Sequence, residues 1–412
     1  MNVWIQNPFD NLPVEGYRKQ RFWLMAEAFV RAGHDVVLWT SDFNHMTKAR
    51  RKTADLPDER IIESCGVTIR LIPTRPYAKN VGWARVRSHR EYARTWEREA
   101  IALVTRQPAV RPDFIVASTP TIGGAEMAVR LGRRFGAKTV VDVMDAWPET
   151  FERLAPACLQ GVARLFLSGL RRRVQRVYRE ADLVTGVCER YRQLCGRDDY
   201  YLAYHGIERE FQVSGSRFQV SGSRFQVSGS RFQVSGSLNL VYAGNLGRTY
   251  DLGTVIRGVK ELGASLEVAG RGQGESDWKA LVRELGMERS VRFHGYLGEG
   301  ELASLLRSAD IGIVPMPADS FVGVPYKFAD YAAAGLAIVS SLGGESEELL
   351  TRFHCGTAYR PGDVDGFVAA VRRVQSAGPG DVKGLCSLFD ARRIYDGYVD
   401  RVIRLKCSRR RS

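Results

Sequence analysis

Two separate runs of alternating strands and helices constrain the fold of this chain more than any other feature. In the first half, β-branched runs such as HDVVLWTS, PDFIVAS and AKTVVDV are separated by helical stretches such as RFWLMAEAFVRAG. The pattern restarts later with five more short strands, from LNLVYAGN to AIVSS. Strands that alternate with helices predict a parallel sheet with helices on both faces. The sequence therefore predicts an α/β protein with two Rossmann-like, doubly wound parallel-sheet domains that face a central cleft.

The length of the chain also favours two domains, because 412 residues exceed what one hydrophobic core usually holds. We expect an N-terminal domain over residues 1–205 and a C-terminal domain over residues 238–394. Residues 206–237 would link the two domains. Residues 395–412 would form a terminal helix with a basic tail, with a return to the N-terminal domain as an open option.

The predicted linker contains a tandem repeat. The unit FQVSGSR begins at Phe211, Phe218 and Phe225, and a shorter copy ends the run at Phe232–Ser237. Gly, Ser and Val are poor helix formers, which excludes a coiled coil despite the seven-residue period. The unit is too short for a solenoid. A flexible or loosely β-structured spacer is the favoured interpretation, and a strand that docks on a sheet edge is the alternative.

Charge and cysteine usage narrow the class of protein. Lys and Arg number 60 against 46 Asp and Glu, a formal net charge of +14, which favours an anionic partner such as nucleic acid, phospholipid or a nucleotide phosphate. The start MNVWIQNPF lacks the features of a signal peptide, and no apolar run has the length of a membrane span. The seven cysteines are scattered and form no Cys-x-x-Cys pair, which disfavours disulfides and structural zinc. We therefore expect a cytoplasmic protein.

Ligands of such domains bind beyond the carboxyl ends of the strands, so the residues that follow strands are the candidates for a site. Gly16 follows the first strand and either lets backbone amides approach a phosphate or makes a tight turn. The segment VYAGNLGRTYDL places Asn245 and Arg248 beside two glycines before a helix, which suits an anion. The segment LEVAGRGQGE lacks full dinucleotide spacing, so an NAD site there is disfavoured.

The most informative segment is FVGVPYKFADYAAAGLAIVSS. A loop rich in Gly and Pro carries Lys327, and Asp330 is expected to open a helix. Helix-start amides and Lys327 would neutralise a diphosphate, while the Asp330 carboxylate would accept hydrogen bonds from ribose hydroxyls. The alternative for Asp330 is an acid that complements the helix dipole.

These segments together resemble a known family. In this order and spacing, VYAGNLGRTYDL, LEVAGRGQGE, VRFHGYLGEGELASLLRSADIGIVPM and VPYKFADYAAAGLAIVSS are similar to the nucleotide-binding domain of glycosyltransferase family 4. The first-half segments EGYRKQRFWLMAEAFVRAGHDVVLWTS, VVDVMDAWPETF and ADLVTGVCERY resemble the acceptor-side domain of that family. The likeness leaves out the repeat and residues 45–100.

The resemblance implies the GT-B fold and a retaining enzyme that moves a hexose or N-acetylhexosamine from a nucleoside-diphosphate sugar. The acceptor would be a lipid-linked saccharide or an oligosaccharide, in the biosynthesis of a surface polysaccharide, lipopolysaccharide or glycolipid. No metal, other cofactor or nucleic acid is expected. The expected catalytic residues are Asp145, Lys327 and Arg248, and the expected donor-binding residues are Gly16, Asn245, Gly323, Val324, Tyr326 and Asp330.

Two positions depart from the family pattern. The family has two Glu separated by seven residues; Asp330 takes the second place, but Val322 takes the first, with Asp319 nearby as a candidate substitute. Tyr250 occupies the place of an expected Lys. In the family the first acid usually contacts the transferred sugar. Its absence here means that the sequence does not indicate which sugar the donor carries. A sugar-nucleotide epimerase and a catalytically silent nucleotide-sugar-binding protein remain as alternatives.

A basic amphipathic helix is predicted within VARLFLSGLRRRVQRVYRE. It interleaves apolar and basic side chains, namely Leu165, Phe166, Leu170, Val174 and Val177 with Arg171, Arg172, Arg173, Arg176 and Arg179. Such a helix either lies on an anionic leaflet or is a surface helix with a solvated basic face. The expected location is therefore the cytoplasm, with peripheral attachment to the inner face of the plasma membrane as an option.

Overall fold

The computed structural model describes residues 1–51, 60–80, 82–152, 155–208, 225–228, 231–234, 238–248, 250–318 and 320–407. The chain divides into two compact units. The first unit comprises Met1–Tyr204 and Arg392–Ser412, and the second comprises His205–Ala391. Each unit has its own parallel sheet with helices packed against it, so the predicted pair of doubly wound α/β domains is confirmed.

The secondary structure of the first unit alternates as its sequence predicts. Its strands are β1 (Asn2–Gln6), β2 (Asp35–Ser41), β3 (Phe43–Asn44), β4 (Ala49–Arg50), β5 (Ile61–Ser64), β6 (Val67–Ile72), β7 (Phe114–Thr119), β8 (Lys138–Val143), β9 (Leu183–Gly186) and β10 (Tyr201–Leu202). Its helices are α1 (Arg21–Arg31), α2 (Trp83–Arg106), α3 (Ile122–Phe135), α4 (Glu149–Glu152), α5 (Gln160–Phe166), α6 (Ser168–Glu180) and α7 (Arg190–Cys195).

The first sheet has the strand order β10-β9-β8-β7-β1-β2-β6-β5. Its strands are parallel except β5, which pairs antiparallel with β6. All six residues of β7 are buried, because helices cover both faces of the sheet. The chain builds the sheet outward in both directions from β1, so β1 and β7 form a switch point, where doubly wound domains bind ligands.

A buried arginine joins distant parts of the first unit. The guanidinium of Arg21, at the start of α1, donates to both carboxylate oxygens of Asp142 in β8, at 2.9 and 2.7 Å. It also donates to the backbone oxygens of Ala203 and Tyr204, at 2.7 and 2.9 Å. The hydroxyl of Thr185 in β9 donates to the same carboxylate at 2.6 Å. Both charged side chains are fully buried, so this pair fixes α1 against two strands.

The second unit repeats the same alternation. Its strands are β11 (Phe225–Ser228), β12 (Arg231–Val234), β13 (Asn239–Ala243), β14 (Ser265–Ala269), β15 (Val291–Gly295), β16 (Ile311–Val314), β17 (Ala337–Ser340) and β18 (Gly356–Ala358). Its helices are α8 (Leu252–Leu262), α9 (Glu275–Glu284), α10 (Glu299–Arg307), α11 (Tyr326–Ala333), α12 (Glu345–Arg352), α13 (Val364–Ala377) and α14 (Val382–Leu388). The helix α15 (Ala391–Cys407) follows and belongs to the first unit from Arg392 on.

The main sheet of the second unit has the order β15-β14-β13-β16-β17-β18, with parallel pairing throughout. Its core includes buried side chains of β13, β14 and β16, such as Leu240, Leu266 and Ile313. The switch point lies between β13 and β16. The loops that follow these two strands therefore flank the place where this domain type binds a ligand.

Part of the tandem repeat forms a hairpin. β11 and β12 pair antiparallel with each other, with Phe225 opposite Val234 and Val227 opposite Phe232. In the portion of the repeat that the structure describes, these strands form their own two-stranded sheet and do not extend the main sheet. The other copies of the unit lie outside the described residues.

The segment predicted as one basic amphipathic helix is divided into α5 and α6 at Leu167. Val174 and Val177 are buried, whereas Leu165 and Phe166 are exposed, so the apolar residues of the segment do not share one face. None of the helices in the described ranges has both the length and the apolar character that a bilayer span requires.

Candidate functional site

Two glycine-rich loops of the second unit are fastened to each other at the carboxyl ends of β13 and β14. The amide of Gly244 donates to the oxygen of Ala269 at 2.9 Å, and the amide of Leu246 donates to the oxygen of Arg271 at 3.0 Å. The amide of Gly274 donates back to the oxygen of Leu246 at 2.8 Å. The two loops therefore form one rigid ledge beside the switch point.

The three glycines of LEVAGRGQGE are explained by this packing. A Cβ atom at Gly270 would overlap the carbonyl oxygen of Gly244, and one at Gly272 would overlap that of Leu246. A Cβ at Gly274 would lie 3.0 Å from the oxygen of Leu246 and 3.1 Å from the amide nitrogen of Arg248. The Gly-x-Gly-x-Gly spacing thus serves loop-to-loop contact, which gives a structural reason for these glycines without a dinucleotide.

We expect Gly270→Ala to destabilise the second unit by about 1–3 kcal/mol, because the added methyl group overlaps the backbone of Gly244, which cannot move aside as a flexible side chain would. The φ of Gly270, +134°, is also unfavourable for alanine. Gly300→Ala is the matched control, since a Cβ there meets no atom within 4 Å and the residue lies in α10. Urea denaturation should show a loss for Gly270→Ala and a small gain for Gly300→Ala. Equal effects would contradict this packing role.

Lys327 reaches this ledge from α11. Its ammonium lies 5.2 Å from the ring centre of Tyr242 and 5.3 Å from that of Tyr250. A Cβ at Gly244 would lie 2.7 Å from Cε and 2.8 Å from Nζ of Lys327, so glycine leaves the space that the lysine fills. The prediction that a loop carries Lys327 is wrong, because Lys327 is the second residue of α11, which begins at Tyr326. A helix fixes its backbone more firmly than a loop.

Burial changes the acidity of this ammonium. It lowers the pKa of Lys327 from 10.5 to about 8, and the nearby carboxylate of Asp330 opposes part of that shift. Removal of water penalises the charged form, while the faces of Tyr242 and Tyr250 attract a cation. At neutral pH the side chain is therefore mostly protonated and incompletely solvated, which favours an anionic ligand.

Asp330 lies on the same side of α11 as Lys327, three residues further along the helix. The prediction that Asp330 opens a helix is wrong, since α11 starts at Tyr326 and Asp330 belongs to its second turn. The helix dipole favours acids in the first turn, so the alternative explanation of Asp330 as a helix-start acid loses its basis. The acid and the ammonium therefore form a pair of functional groups beside the first glycine-rich loop.

The residues between β16 and α11 are held by internal contacts. The hydroxyl of Ser346 donates to the carbonyl of Gly323, and the side chain of Val324 is buried. The ring of Tyr326 stacks on His205, with centroids 3.6 Å apart and planes at 25°. Val322, the valine at the place where the family has its first Glu, is partly buried. Asp319, the candidate substitute for that acid, lies outside the described residues.

Asn245 and Arg248 are exposed on the first glycine-rich loop. The guanidinium of Arg248 pairs with the carboxylate of Asp277 at 3.0 Å, and both side chains are more than half exposed. Surface ion pairs of this kind contribute little stability, so a phosphate can replace the carboxylate. Helix α8 begins at Leu252, directly after Asp251. The carboxylate of Asp251 accepts a hydrogen bond from the hydroxyl of Thr254 at 2.6 Å, so an acid already lies beside the first amides of this helix.

In the first unit, Gly16 ends a short 3-10 turn with φ +78°. Its amide donates to the oxygen of Pro13 at 2.9 Å, so this amide is engaged within the turn. Arg51 holds the same loop by donating to the carboxylate of Glu15 and to the backbone oxygen of Asp10. The structure thus gives Gly16 the tight-turn role, and helix α1 begins five residues later.

Asp145 follows β8 and lies near a cationic and aromatic cluster. Arg85 stands over the rings of Trp147 at 5.1 Å, Phe9 at 5.6 Å and Tyr77 at 5.9 Å. Burial raises the pKa of Asp145, while hydrogen bonds from Trp147 and the amide of residue 146, together with the charge of Arg85, oppose that rise. The carboxylate is thus held beside a guanidinium at the carboxyl end of the sheet.

Two histidines complete this cluster. His89 stacks on Trp147 and accepts a hydrogen bond from Arg85 at 3.3 Å, and His45 contacts the hydroxyl of Tyr77 at 2.6 Å. Burial lowers the pKa of His45 to about 4 and that of His89 to about 3, with nearby cations adding to both shifts. Both rings are therefore neutral at pH 7, and the cations of the cluster come from Arg85 and Lys48.

Of this cluster the sequence predicted only Asp145, because Arg85, His45, His89, Lys48 and Tyr77 belong to the stretch over residues 45–100 that the family resemblance leaves out. A signal was present in WARVRSH, where Arg85 and His89 are four residues apart and share one side of α2. A small pocket beside it is lined by residues that follow β1, β2, β6 and β7, among them Phe9 and Phe43. The strand ends bring these residues together.

The acidic, histidine and cysteine side chains bear on metal binding. Across the described ranges, no set of three or more His, Cys, Asp or Glu side chains is arranged to hold a metal ion. Among the described cysteines, Cys65, Cys158, Cys188, Cys195, Cys355 and Cys386, no disulfide bond is formed. The candidate groups described at the two switch points are ammonium, guanidinium, imidazole, carboxylate and backbone amide groups.

Comparison with known proteins links each unit to a described domain. The family described as "Glycosyl transferase 4-like domain" matches residues 19–201, and that described as "Glycosyl transferases group 1" matches residues 238–376. Two glycogen synthases of Mycobacterium tuberculosis are 35% identical over 113 residues, which is 27% of this chain. The aligned part spans 26% of the length of those relatives.

Solved structures share the fold over the whole chain. Sucrose-phosphate synthase from Thermosynechococcus elongatus has a TM-score of 0.72 at 13% identity, with 99% of each chain covered. The catalytic domain of starch synthase IV from Arabidopsis thaliana, bound to ADP and acarbose, has a TM-score of 0.64 at 12% identity, with 98% of each chain covered. Anabaena HepE in complex with UDP-glucose has a TM-score of 0.62 at 13% identity, covering 98% of this chain and 99% of its own. With both units matched by their respective domain families, the chain belongs to the glycosyltransferase 4-like family and has the GT-B fold.

Proposed function

We propose that the protein is a retaining glycosyltransferase that moves a hexose or N-acetylhexosamine from a nucleoside-diphosphate sugar to a saccharide acceptor. The observation that carries this proposal is the ammonium of Lys327, which faces the rings of Tyr242 and Tyr250 beside Gly244. A cation that has lost part of its water interacts strongly with a diphosphate. The UDP-glucose of Anabaena HepE and the ADP of starch synthase IV support a nucleotide ligand for this fold.

The donor would bind along the switch point of the second unit. Lys327 would neutralise the diphosphate together with amides of the segment from Gly323 to Tyr326. Arg248 would exchange Asp277 for a phosphate oxygen, with Asn245 beside it. The carboxylate of Asp330, one turn from the ammonium, would accept hydrogen bonds from the two ribose hydroxyls.

The transfer itself would depend on electrostatic stabilisation of the leaving group. The bond from the anomeric carbon to the diphosphate breaks, and a bond to the acceptor oxygen forms on the same face of the sugar. The acceptor proton passes to the departing phosphate oxygen, so no strong protein base is required. Lys327 and Arg248 would stabilise the charge that develops on the diphosphate.

The cluster around Arg85 supports an acceptor with an anionic group. Arg85 and Lys48 supply two cations, and the aromatic rings of Phe9, Tyr77 and Trp147 supply flat apolar surfaces that suit sugar rings. A lipid-linked saccharide joins its sugar to the lipid through phosphate or pyrophosphate, so it carries both features. We therefore propose a lipid-linked acceptor at the cytoplasmic face of a membrane, for a surface polysaccharide or glycolipid.

The test is a panel of nucleotide sugars with purified full-length protein, followed by release of nucleoside diphosphate. Each donor is assayed without acceptor, with a pyrophosphate-linked lipid saccharide, and with a neutral alkyl glycoside of the same sugar. Release that requires the pyrophosphate-linked acceptor supports the whole proposal. Isomer formation without acceptor would indicate the epimerase. Tight binding without turnover would indicate the silent nucleotide-sugar-binding protein, which the absence of an acid at Val322 suggests.

Asp330→Asn tests the donor site independently of the acceptor. We expect the affinity for the nucleotide sugar to fall about 10- to 100-fold, because a hydrogen bond to a charged acceptor contributes about 1.5–3 kcal/mol. The matched control is Asp365→Asn, an exposed acid in the first turn of α13 of the same unit. Titration calorimetry with the preferred donor gives both values. Unchanged affinity in a double variant of Asp330 and Lys327 would remove the basis of the assignment.

A further inference from the structure

One surface of the first unit exposes large apolar side chains at neighbouring positions. Leu159 is 50% exposed, Val162 65%, Leu165 76% and Phe166 83%. Such side chains are usually buried in a folded protein, and single exposed ones are common, but four within one short segment form a patch. They belong to α5 and the residue before it, at spacings of three, three and one. The patch therefore occupies one side of this helix.

Three arginines extend this patch along α6. Arg172, Arg176 and Arg179 are exposed and follow each other at spacings of four and three, so they share one side of the helix. The other two arginines of this run are used internally, since Arg171 pairs with Glu149 and Glu152, and Arg173 pairs with Glu126. Among the described carboxylates, none forms an ion pair with the three exposed arginines.

The apolar and basic sets lie on two successive helices. Leu167 is the one residue between α5 and α6; its amide donates to the oxygen of Ala163 at 2.9 Å, and its oxygen accepts from the amide of Arg171 at 2.9 Å, so the two helices adjoin directly. Arg172 is exposed in the second turn of α6, seven residues beyond the exposed Leu165 of α5. Val174, Val177 and Tyr178 are buried on the opposite side of α6, which directs the arginines outward.

We propose that this surface, formed by Leu159, Val162, Leu165, Phe166, Arg172, Arg176 and Arg179, binds an anionic lipid bilayer. Apolar side chains enter the boundary between headgroups and acyl chains, while arginines contact the anionic headgroups beside them. A net charge of +14 on the chain favours approach to a negative surface. The combination matches a bilayer, which presents negative charge and an apolar interior over an extended plane. This inference concerns a different surface from the donor site and does not depend on the transfer reaction.

The test is cosedimentation of the full chain with vesicles of phosphatidylcholine alone and of two parts phosphatidylcholine to one part phosphatidylglycerol. We expect binding to the anionic vesicles, weak binding to the neutral ones, and a decrease with added salt. Arg172→Gln, Arg176→Gln and Arg179→Gln combined should lower the partition coefficient about 100-fold, since each near-surface cation contributes about fivefold. Leu165→Ser combined with Phe166→Ser should lower it at least about tenfold while the salt dependence persists.

The matched control removes the same charge elsewhere. Arg283, Arg289 and Arg372 are exposed in the second unit, and their combined change to Gln should alter vesicle binding less than about threefold. Equal loss in this control would show that binding reflects net charge, and the proposed surface would be rejected. Absence of vesicle binding, or a dimer in solution that Leu165→Ser with Phe166→Ser dissociates, would also overturn it. Nucleoside diphosphate release with a water-soluble acceptor stays unchanged in all these variants, so failure here is separable from failure of the transferase proposal.

Discussion

Replacement of Lys327 by Met is expected to lower kcat/KM about 100- to 1,000-fold, because one preorganised charge partner of a leaving group contributes about 2.7–4 kcal/mol. Met keeps the length of the side chain and its contacts with Tyr242 and Tyr250, so the change removes mainly the charge. The measurement is nucleoside diphosphate release under single-turnover conditions. Lys260→Met, at an exposed position of α8, should leave the rate unchanged.

The same lysine predicts how donor binding depends on pH. The folded pKa of Lys327 is lowered to about 8, so its ammonium form is lost as the pH rises through that value. Affinity for the nucleotide should therefore be highest below pH 8 and should fall about tenfold between pH 7 and pH 9. This decline should be absent in Lys327→Met. A wild-type affinity that stays constant over that range would contradict the role of the ammonium.

The contribution of Lys327 to folding stability should rise with pH, whereas its contribution to donor binding falls. Because the pKa of Lys327 is lower in the folded state than in the unfolded chain, the unfolded chain binds more protons between about pH 8 and 10.5. The contribution of this residue to stability therefore rises with pH across that window, and the buried charge is unfavourable below it. We expect Lys327→Met to be at least as stable as the wild type at pH 7, so that lost activity cannot be attributed to unfolding.

Replacement of Arg21 by Met is expected to destabilise the first unit by about 3–5 kcal/mol, because it leaves the carboxylate of Asp142 buried without its partner. The backbone oxygens of Ala203 and Tyr204 would also lose their donor. Urea denaturation monitored by tryptophan fluorescence measures the change, since Trp4, Trp39 and Trp96 lie in the core of this unit.

A double variant and a surface control separate the causes of this loss. Asp142→Leu combined with Arg21→Met removes both charges, so it should be less destabilised than Arg21→Met alone. Arg31→Met removes a guanidinium from α1 whose ion pair with Asp396 is about half exposed, and should change stability by about 0–1 kcal/mol. If Arg31→Met and Arg21→Met gave equal losses, burial of the Arg21 pair would not be the cause.

The sequence predicted most of the regular structure because its signals are local. HDVVLWTS, AKTVVDV and LNLVYAGN became β2, β8 and β13, since β-branched runs between turn residues specify strands from their own composition. The antiparallel edge strand β5 and the helix α14 were not predicted, because their short patterns differ little from those of loops. The prediction of a single helix over the basic segment was wrong, because α5 ends at Phe166 and α6 begins at Ser168.

The candidate donor site was predicted only in part. Lys327 and Asp330 were identified from a segment and its resemblance to a family, but the start of α11 was misplaced by four residues. The aromatic rings that Lys327 faces belong to Tyr242 and Tyr250, which are far from it in sequence. No local pattern indicates such a contact, because it arises when β13 and β16 become neighbours in the sheet. The contacts of Arg85 with Phe9 and Trp147 were not predicted either, because they too join residues that are far apart in sequence.

The sequence by itself determined the α/β class, the two doubly wound domains, the family resemblance and the residue types available for an anionic ligand. Each of these follows from periodicity and turn residues within short stretches, which depend on neighbours along the chain. Only the tertiary structure decided that Arg21 pairs with Asp142, that the pKa of Lys327 falls to about 8, and that Phe166 stays exposed. Burial and electrostatic environment are set by side chains that are distant in sequence, so they become defined only when the strands assemble.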